Sequence, residues 1–302
     1  LTGGGTTTSL AVVTSPTLPY WPVDARPHRM TLGLRRLDPV VWLEVDGHRD
    51  AELAEKARLL AARHDDLVVH DPAGTDAARE VLDLVVSWLA THRADLPRSP
   101  QAGLHPIDAA GRLVQEDLCV LTRTDGRWRL TAASVCFPSR WAPRQKLGLT
   151  LESIHDPVPG YPAIAGPVDG SLDRLHVDRP VWRLNWSVLP SPDLCQLPED
   201  YPRTGAGTTD YPGIDGLTFR VERQTLRRLP GTGAVAFTIR TYTAPLRQVV
   251  ADPARAADLR ATLAAVGPEQ AGYKGWTHWL DRLVADLATA GTGADTPVPA
   301  TA

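Results

Sequence analysis

Apolar and polar positions change their rhythm twice along the chain. Residues 38–48, DPVVWLEVDGH, alternate around Val41, Leu43 and Val45, which predicts a short strand closed by a turn at Asp46-Gly47. Residues 50–63 switch to helical spacing, with Leu53, Ala57, Leu60 and Ala61 as the apolar stripe and Asp50 as N-cap. Residues 75–93 repeat that logic, with Thr75 or Asp76 as cap and Val81, Leu82, Val85, Trp88 and Leu89 as the buried face. Two helices of an N-terminal layer are therefore expected.

The centre turns into strands. Residues 117–122 and 127–136 flank a TDG turn and predict an antiparallel hairpin. Proline and glycine dominate residues 137–167, which predicts ordered loop with a short helix at 150–155. A strand at 180–190 and a loop at 194–216 come next. A second hairpin pairs 217–226 with 234–243 around RRLPGTG. A last helical region spans 253–288, with Leu259, Leu263, Trp276, Trp279, Leu280 and Leu283 as apolar positions. About five core strands with helices before and after give an antiparallel α+β pattern rather than βαβ alternation. No GxGxxG follows a strand, which argues against a dinucleotide fold, and no internal repeat is evident.

Composition narrows the function. The net charge of −3 and the scattered arginines give no concentrated basic surface for nucleic acid. The cysteines at 119, 136 and 195 have no metal-site spacing and are odd in number, so a reducing, cytoplasmic setting is expected. No apolar run is long enough for a membrane helix, and Leu1–Ser15 lacks the basic and apolar segments of a signal peptide. Residues 1–34 are expected to form an extended arm, 35–288 one domain, and 289–302 a flexible tail. Nine tryptophans against three phenylalanines suit either a wall for a bulky aromatic ligand or ordinary core packing.

Three segments carry candidate chemistry. His155, where a short helix meets the proline loop DPVPGYP, could ligate a haem iron through a neutral imidazole, or could simply cap the helix. In LTFRVERQTL, a period of two puts Leu217, Phe219, Val221, Arg223 and Thr225 on one face and Arg220, Glu222 and Gln224 on the other. Glu222 could hold an ammonium or relay protons within an arginine network, or belong to a solvated edge strand. In VWRLNWSV, Trp182, Leu184, Trp186 and Val188 oppose Arg183, Asn185 and Ser187. Two tryptophans offer a flat wall, Arg183 a bidentate partner for a propionate, and Asn185 an orienting group, or Arg183 and Asn185 are satisfied structural residues. Arg140, Arg144 and Lys146 form a basic patch suited to a carboxylate-rich group, a phosphate or solvent. No GxSxG elbow, triad order or paired glycosidase carboxylates stand out.

The stretches QEDLCVL, WRLTAASVCFPSRWAPRQKLG, IHDPVPGY, RPVWRLNWSV and RVERQTLRRLPGTGAVAFTIRTY, with the PL that follows, resemble the haem-dependent oxidative N-demethylase family, over roughly residues 35–285 and most specifically 113–246. The resemblance implies a PAS-like antiparallel sheet with flanking helices around a haem pocket. It implies a haem b monooxygenase that uses dioxygen to turn a methylated secondary amine such as dimethylamine into a primary amine and formaldehyde. It also implies an external electron donor carrying FMN and an iron–sulfur cluster. On this chain it points to His155 as the iron ligand and to Glu222 and Arg223 as catalytic residues. Lys146, Trp182, Arg183 and Asn185 become the haem-binding candidates. Oxidative tailoring of a larger biosynthetic metabolite and haem-based gas or redox sensing are the alternatives.

Overall fold

The computed structural model describes residues 18–24, 32–201 and 210–290. The arm and tail expected at 1–34 and 289–302 lie largely outside these residues. Seven described strands form an antiparallel sheet: β1 (Arg35–Arg36), β2 (Val68–His70), β3 (Asp117–Thr124), β4 (Arg127–Ser134), β5 (Val181–Leu189), β6 (Thr218–Arg228) and β7 (Val235–Pro245). Their order across the sheet is β1-β5-β6-β7-β3-β4-β2. The helices are α1 (Arg49–Leu67), α2 (Thr75–His92), α3 (Pro106–Gly111), α4 (Leu151–His155), α5 (Ala165–Asp173), α6 (Leu246–Val249), α7 (Pro253–Ala264), α8 (Pro268–Lys274) and α9 (Leu280–Ala290). This is a mixed α+β fold, an antiparallel sheet flanked by helices, consistent with a PAS-like arrangement. No helix among the described residues is long and apolar enough to cross a membrane.

Both expected hairpins form. Asp125 and Gly126 take positive φ (52° and 75°) in the two-residue β3–β4 turn, the conformation that matches the right-handed twist of the flanking strands. The strand expected at 38–48 does not form. Asp38 accepts a hydrogen bond from Val40 N (3.0 Å) and Pro39 fixes the first φ, so Pro39–Val41 wind into a 3-10 turn. Val40 and Val41 are left exposed while Trp42 is fully buried.

The stripe expected on α1 is also displaced. Ala57 and Ala61 face solvent, and Lys56, Leu59, Leu60 and Leu67 face inward. Lys56 tolerates burial because the carbonyls of Val114 (3.0 Å) and Glu116 accept its protons and the Asp117 carboxylate lies 3.7 Å away. Helix α2 is entered through a 3-10 turn capped by Asp71, so Gly74 rather than Thr75 or Asp76 stands at its start. Helix α4 forms as expected, with Thr150 Oγ1 accepting from Ser153 N. Helix α5 begins in the last residues of the 137–167 loop segment and runs on through residues given no element from the sequence.

The two faces of the sheet are covered differently. Helices α1 and α2 pack behind Leu118, Val120 and Ala132, and α7 and α9 behind Phe219, Val221 and Ala244. On the other face, here called the front, α4 and α5 cover Cys119, Leu121, Leu130 and Phe237. Strand β5 is paired on its outer side by β1 at Val181 and Trp182. Beyond them, Lys274 Nζ donates to Trp186 O and Trp276 Nε1 to Val188 O, both at 2.9 Å, so side chains from α8 and its exit take the place of a neighbouring strand.

Candidate functional site

A cavity of ≈ 1170 Å³ lies against the front face. It exceeds the ~300–1,000 Å³ usual for small-ligand sites. Its lining follows β5 from Arg183 to Leu189, about 20 Å at ~3.3 Å per residue. At the open edge of β5 it also reaches Leu184 and Trp186, and there it meets Trp21 and Trp276.

Strand periodicity delivers the polar side chains. Asn185 on β5 stands opposite Glu222 on β6, and Arg183 opposite Gln224. All four line the cavity, as does Arg220. Asn185 Nδ2 and Gln224 Nε2 each donate to Glu222 Oε2 at 3.1 Å. Arg220 Nε lies 3.3 Å from Oε1. Arg220 is itself fixed by Leu194 O (2.9 Å) and Thr241 Oγ1 (3.2 Å). The carboxylate is thus locked in place before any ligand arrives. Arg183 is different: its Nε is buried with no hydrogen-bond partner. Burial pushes its basicity down, with only Glu222 opposing the shift.

The roof carries His155. Its Nδ1 lies 2.8 Å from Leu151 O, and because a carbonyl only accepts, Nδ1 is the donor. The ring stacks on Tyr161, with centroids 4.4 Å apart and planes 9° from parallel. Burial pushes the imidazole below its ordinary value; the Leu151 bond opposes this, and the charges of Lys146 and Arg183 add to it. The side chain is therefore a neutral imidazole with a bare Nε2, which has no hydrogen-bond partner among the described residues. That is the tautomer a metal ligand needs, with the second nitrogen fixing the ring's orientation. Lys146 also lines the cavity and donates to Ile154 O at 2.9 Å, beside His155.

Five of the sequence candidates, His155, Lys146, Arg183, Asn185 and Glu222, meet in this one cavity. Two do not. Arg223 points to the opposite face, where it donates to Trp42 O (3.1 Å) and Val41 O (2.6 Å) and pairs with Glu44. Trp182 lies on that face too, packed between Arg35, Arg223 and Tyr20. Of the basic patch, Arg144 is committed to Asp66 and Glu199 at the surface, while Arg140 lines the cavity and bonds Lys274 O. Sequence reasoning passed over Tyr161, although it sits inside IHDPVPGY, one short turn beyond the histidine. An aromatic at that offset was the available signal.

Haem can be tested against these residues. A porphyrin brings its own equatorial donors and asks the protein for an axial one, plus cations for its propionates. His155 offers a bare, oriented nitrogen, and Arg183 is a buried guanidinium with an unfilled donor. The residues present fit the group.

A family model described as haem-dependent oxidative N-demethylase, alpha subunit-like, matches residues 91–284. The chain belongs to this family. The matched span runs from the end of α2 to α9 and contains every candidate residue of the cavity. Membership associates the chain with haem-dependent oxidative chemistry in general, and so with an oxidoreductase.

Proposed function

We propose that this chain is a haem b-dependent oxidative N-demethylase acting on a methylated amine. The observation that carries the reading is His155, held neutral with Nδ1 donating to Leu151 O and Nε2 left for iron. Lys146 and Arg183, whose charges both act on His155, take the haem propionates. The bound cofactor supplies dioxygen activation and oxidation of the N-methyl group, which leaves as formaldehyde. The protein supplies position. Glu222, held from three sides, receives the substrate ammonium, and Asn185 and Arg220 keep the carboxylate from turning. When the hydroxymethylated amine breaks its C–N bond, Glu222 is the group able to take the hydroxyl proton. Electrons come from a separate protein donor with FMN and an iron–sulfur cluster. A second reading, tailoring of a larger metabolite, draws support from the cavity's continuation around β5 to Trp21 and Trp276.

The test is the visible spectrum of haem-loaded protein beside His155→Ala, with haem quantified in both. A strong Soret band that is lost or shifted in the variant supports ligation by His155. An unchanged band moves the ligand elsewhere. A folded wild type that takes up no stoichiometric haem overturns the oxidase reading.

A further inference from the structure

We infer that Asn185 and Gln224 sort amines by the number of N–H donors they carry, admitting primary and secondary ammonium ions over tertiary and quaternary ones. The inference rests on the reading that Glu222 receives an ammonium. It adds a specificity filter and names the residues that form it.

Asn185 faces Glu222 across the β5–β6 pair, and Gln224 follows Glu222 on the same face of β6. Each gives its amide NH2 to the same carboxylate oxygen. A carboxylate accepts from both, which fixes the sense of both amides: NH2 toward Glu222, carbonyl away from it. Neither Asn185 Oδ1 nor Gln224 Oε1 has a hydrogen-bond partner among the described residues. Neither is sealed in the protein interior, and both residues line the cavity. The site therefore offers a carboxylate flanked by two amide carbonyls. Its acceptors outnumber what one point charge requires.

An alkylammonium keeps its proton at neutral pH, as lysine does with an ordinary value of ~10.4. Dimethylammonium brings two N–H groups, one for the carboxylate and one for an amide carbonyl. Methylammonium brings three. Trimethylammonium satisfies only the carboxylate and presses a methyl group against the amides. Tetramethylammonium satisfies nothing by hydrogen bonding. A polar site rejects ligands that leave its groups unpaired far more strongly than an apolar pocket rejects a change of shape. The same arithmetic applies to the reaction's own product. A primary amine leaves demethylation with one more N–H than the secondary amine that entered, so it is held at least as well. Release of the product amine, and inhibition by it, follow from the same three acceptor groups.

Calorimetric titration of the haem-loaded protein with methylammonium, dimethylammonium, trimethylammonium and tetramethylammonium chlorides tests this, with the Soret band followed to detect any amine that ligates iron instead. The expected result is that the first two bind within a fewfold of each other and about tenfold tighter than trimethylammonium, with tetramethylammonium weakest. In Asn185→Leu, which removes one of the two carbonyls, dimethylammonium loses more affinity than trimethylammonium, so its lead over trimethylammonium shrinks; an undiminished lead overturns the inference. Gln224→Met, which also removes a carbonyl, runs the same comparison should Asn185→Leu fail to fold. Equal binding of dimethylammonium and tetramethylammonium in wild type overturns the inference and leaves the amine reading standing. If the haem-loaded protein binds none of the four, the amine reading falls and takes the inference with it.

Discussion

The front and back faces of the sheet use the same residue types for opposite purposes. On the back, most charges meet an opposite charge from the protein, while Arg227 lies over the Trp42 ring instead. Arg240 pairs with Asp46 (2.7 Å) and Glu52 (2.8 Å), Arg223 pairs with Glu44, and Tyr242 donates to Glu44 at 2.6 Å. On the front, Glu222 is oriented but its two amide neighbours turn open carbonyls to the cavity, and Arg183 keeps a buried donor unfilled. Glu222 and Arg223 are adjacent in sequence, yet they belong to different systems. Paired charges hold the sheet to its helices; under the proposed function, the open groups on the front are the ones a ligand fills.

Four substitutions break or sharpen that contrast. Arg240→Met removes a fully buried cation and strands two carboxylates; a loss of about 3–5 kcal/mol is expected in urea unfolding. Glu116, behind the same network, comes next. Burial pushes its carboxyl up from 4.5 to about 7. Between those values the folded state holds a proton that the unfolded chain has released, so wild-type stability falls as pH rises from about 4.5 to 7, by on the order of 3 kcal/mol. Unfolding at pH 5 and pH 8 should show this slope shrink in Glu116→Gln. Arg223→Leu should cost about 2 kcal/mol of stability through its lost carbonyl bonds and ion pair, while ammonium affinity per folded molecule stays at the wild-type value. A loss of amine binding there would return Arg223 to the site. Glu222→Gln should change stability least, by less than about 1 kcal/mol, and lower dimethylammonium affinity at least tenfold in the same titration.

The period-two pattern of RVERQTL and VWRLNWSV already separated Glu222 from Arg223 and Arg183 from Trp182. The structure keeps both separations. Glu222, Arg183 and the tryptophan wall were candidates from the strand pattern itself, while placing Arg223 beside Glu222 at the site came from the resemblance, which transfers motifs rather than faces. Strand faces and the short helix at 150–155 were legible because they depend on neighbours within a few residues, whereas His48 and Gly74 stand where Asp50 and Thr75 or Asp76 were expected as caps. The 38–48 segment was not, because an Asp-Pro turn competes with the strand pattern and wins locally. The burial of Lys56 was hidden for the opposite reason. The carbonyls and the carboxylate that meet its ammonium lie about 60 positions further along the chain. His155 was legible as a candidate, but its tautomer was not, since that depends on how the α4 backbone folds back on the ring.

The outer edge of β5 carries one more consequence. A strand edge with free carbonyls is a template on which another chain can add itself. Here Lys274 and Trp276 occupy Trp186 O and Val188 O, on the stretch that β1 leaves unpaired. The last helices thereby protect the chain from sticking to its own copies, and losing that cover would be felt first in how concentrated the protein can become before it aggregates.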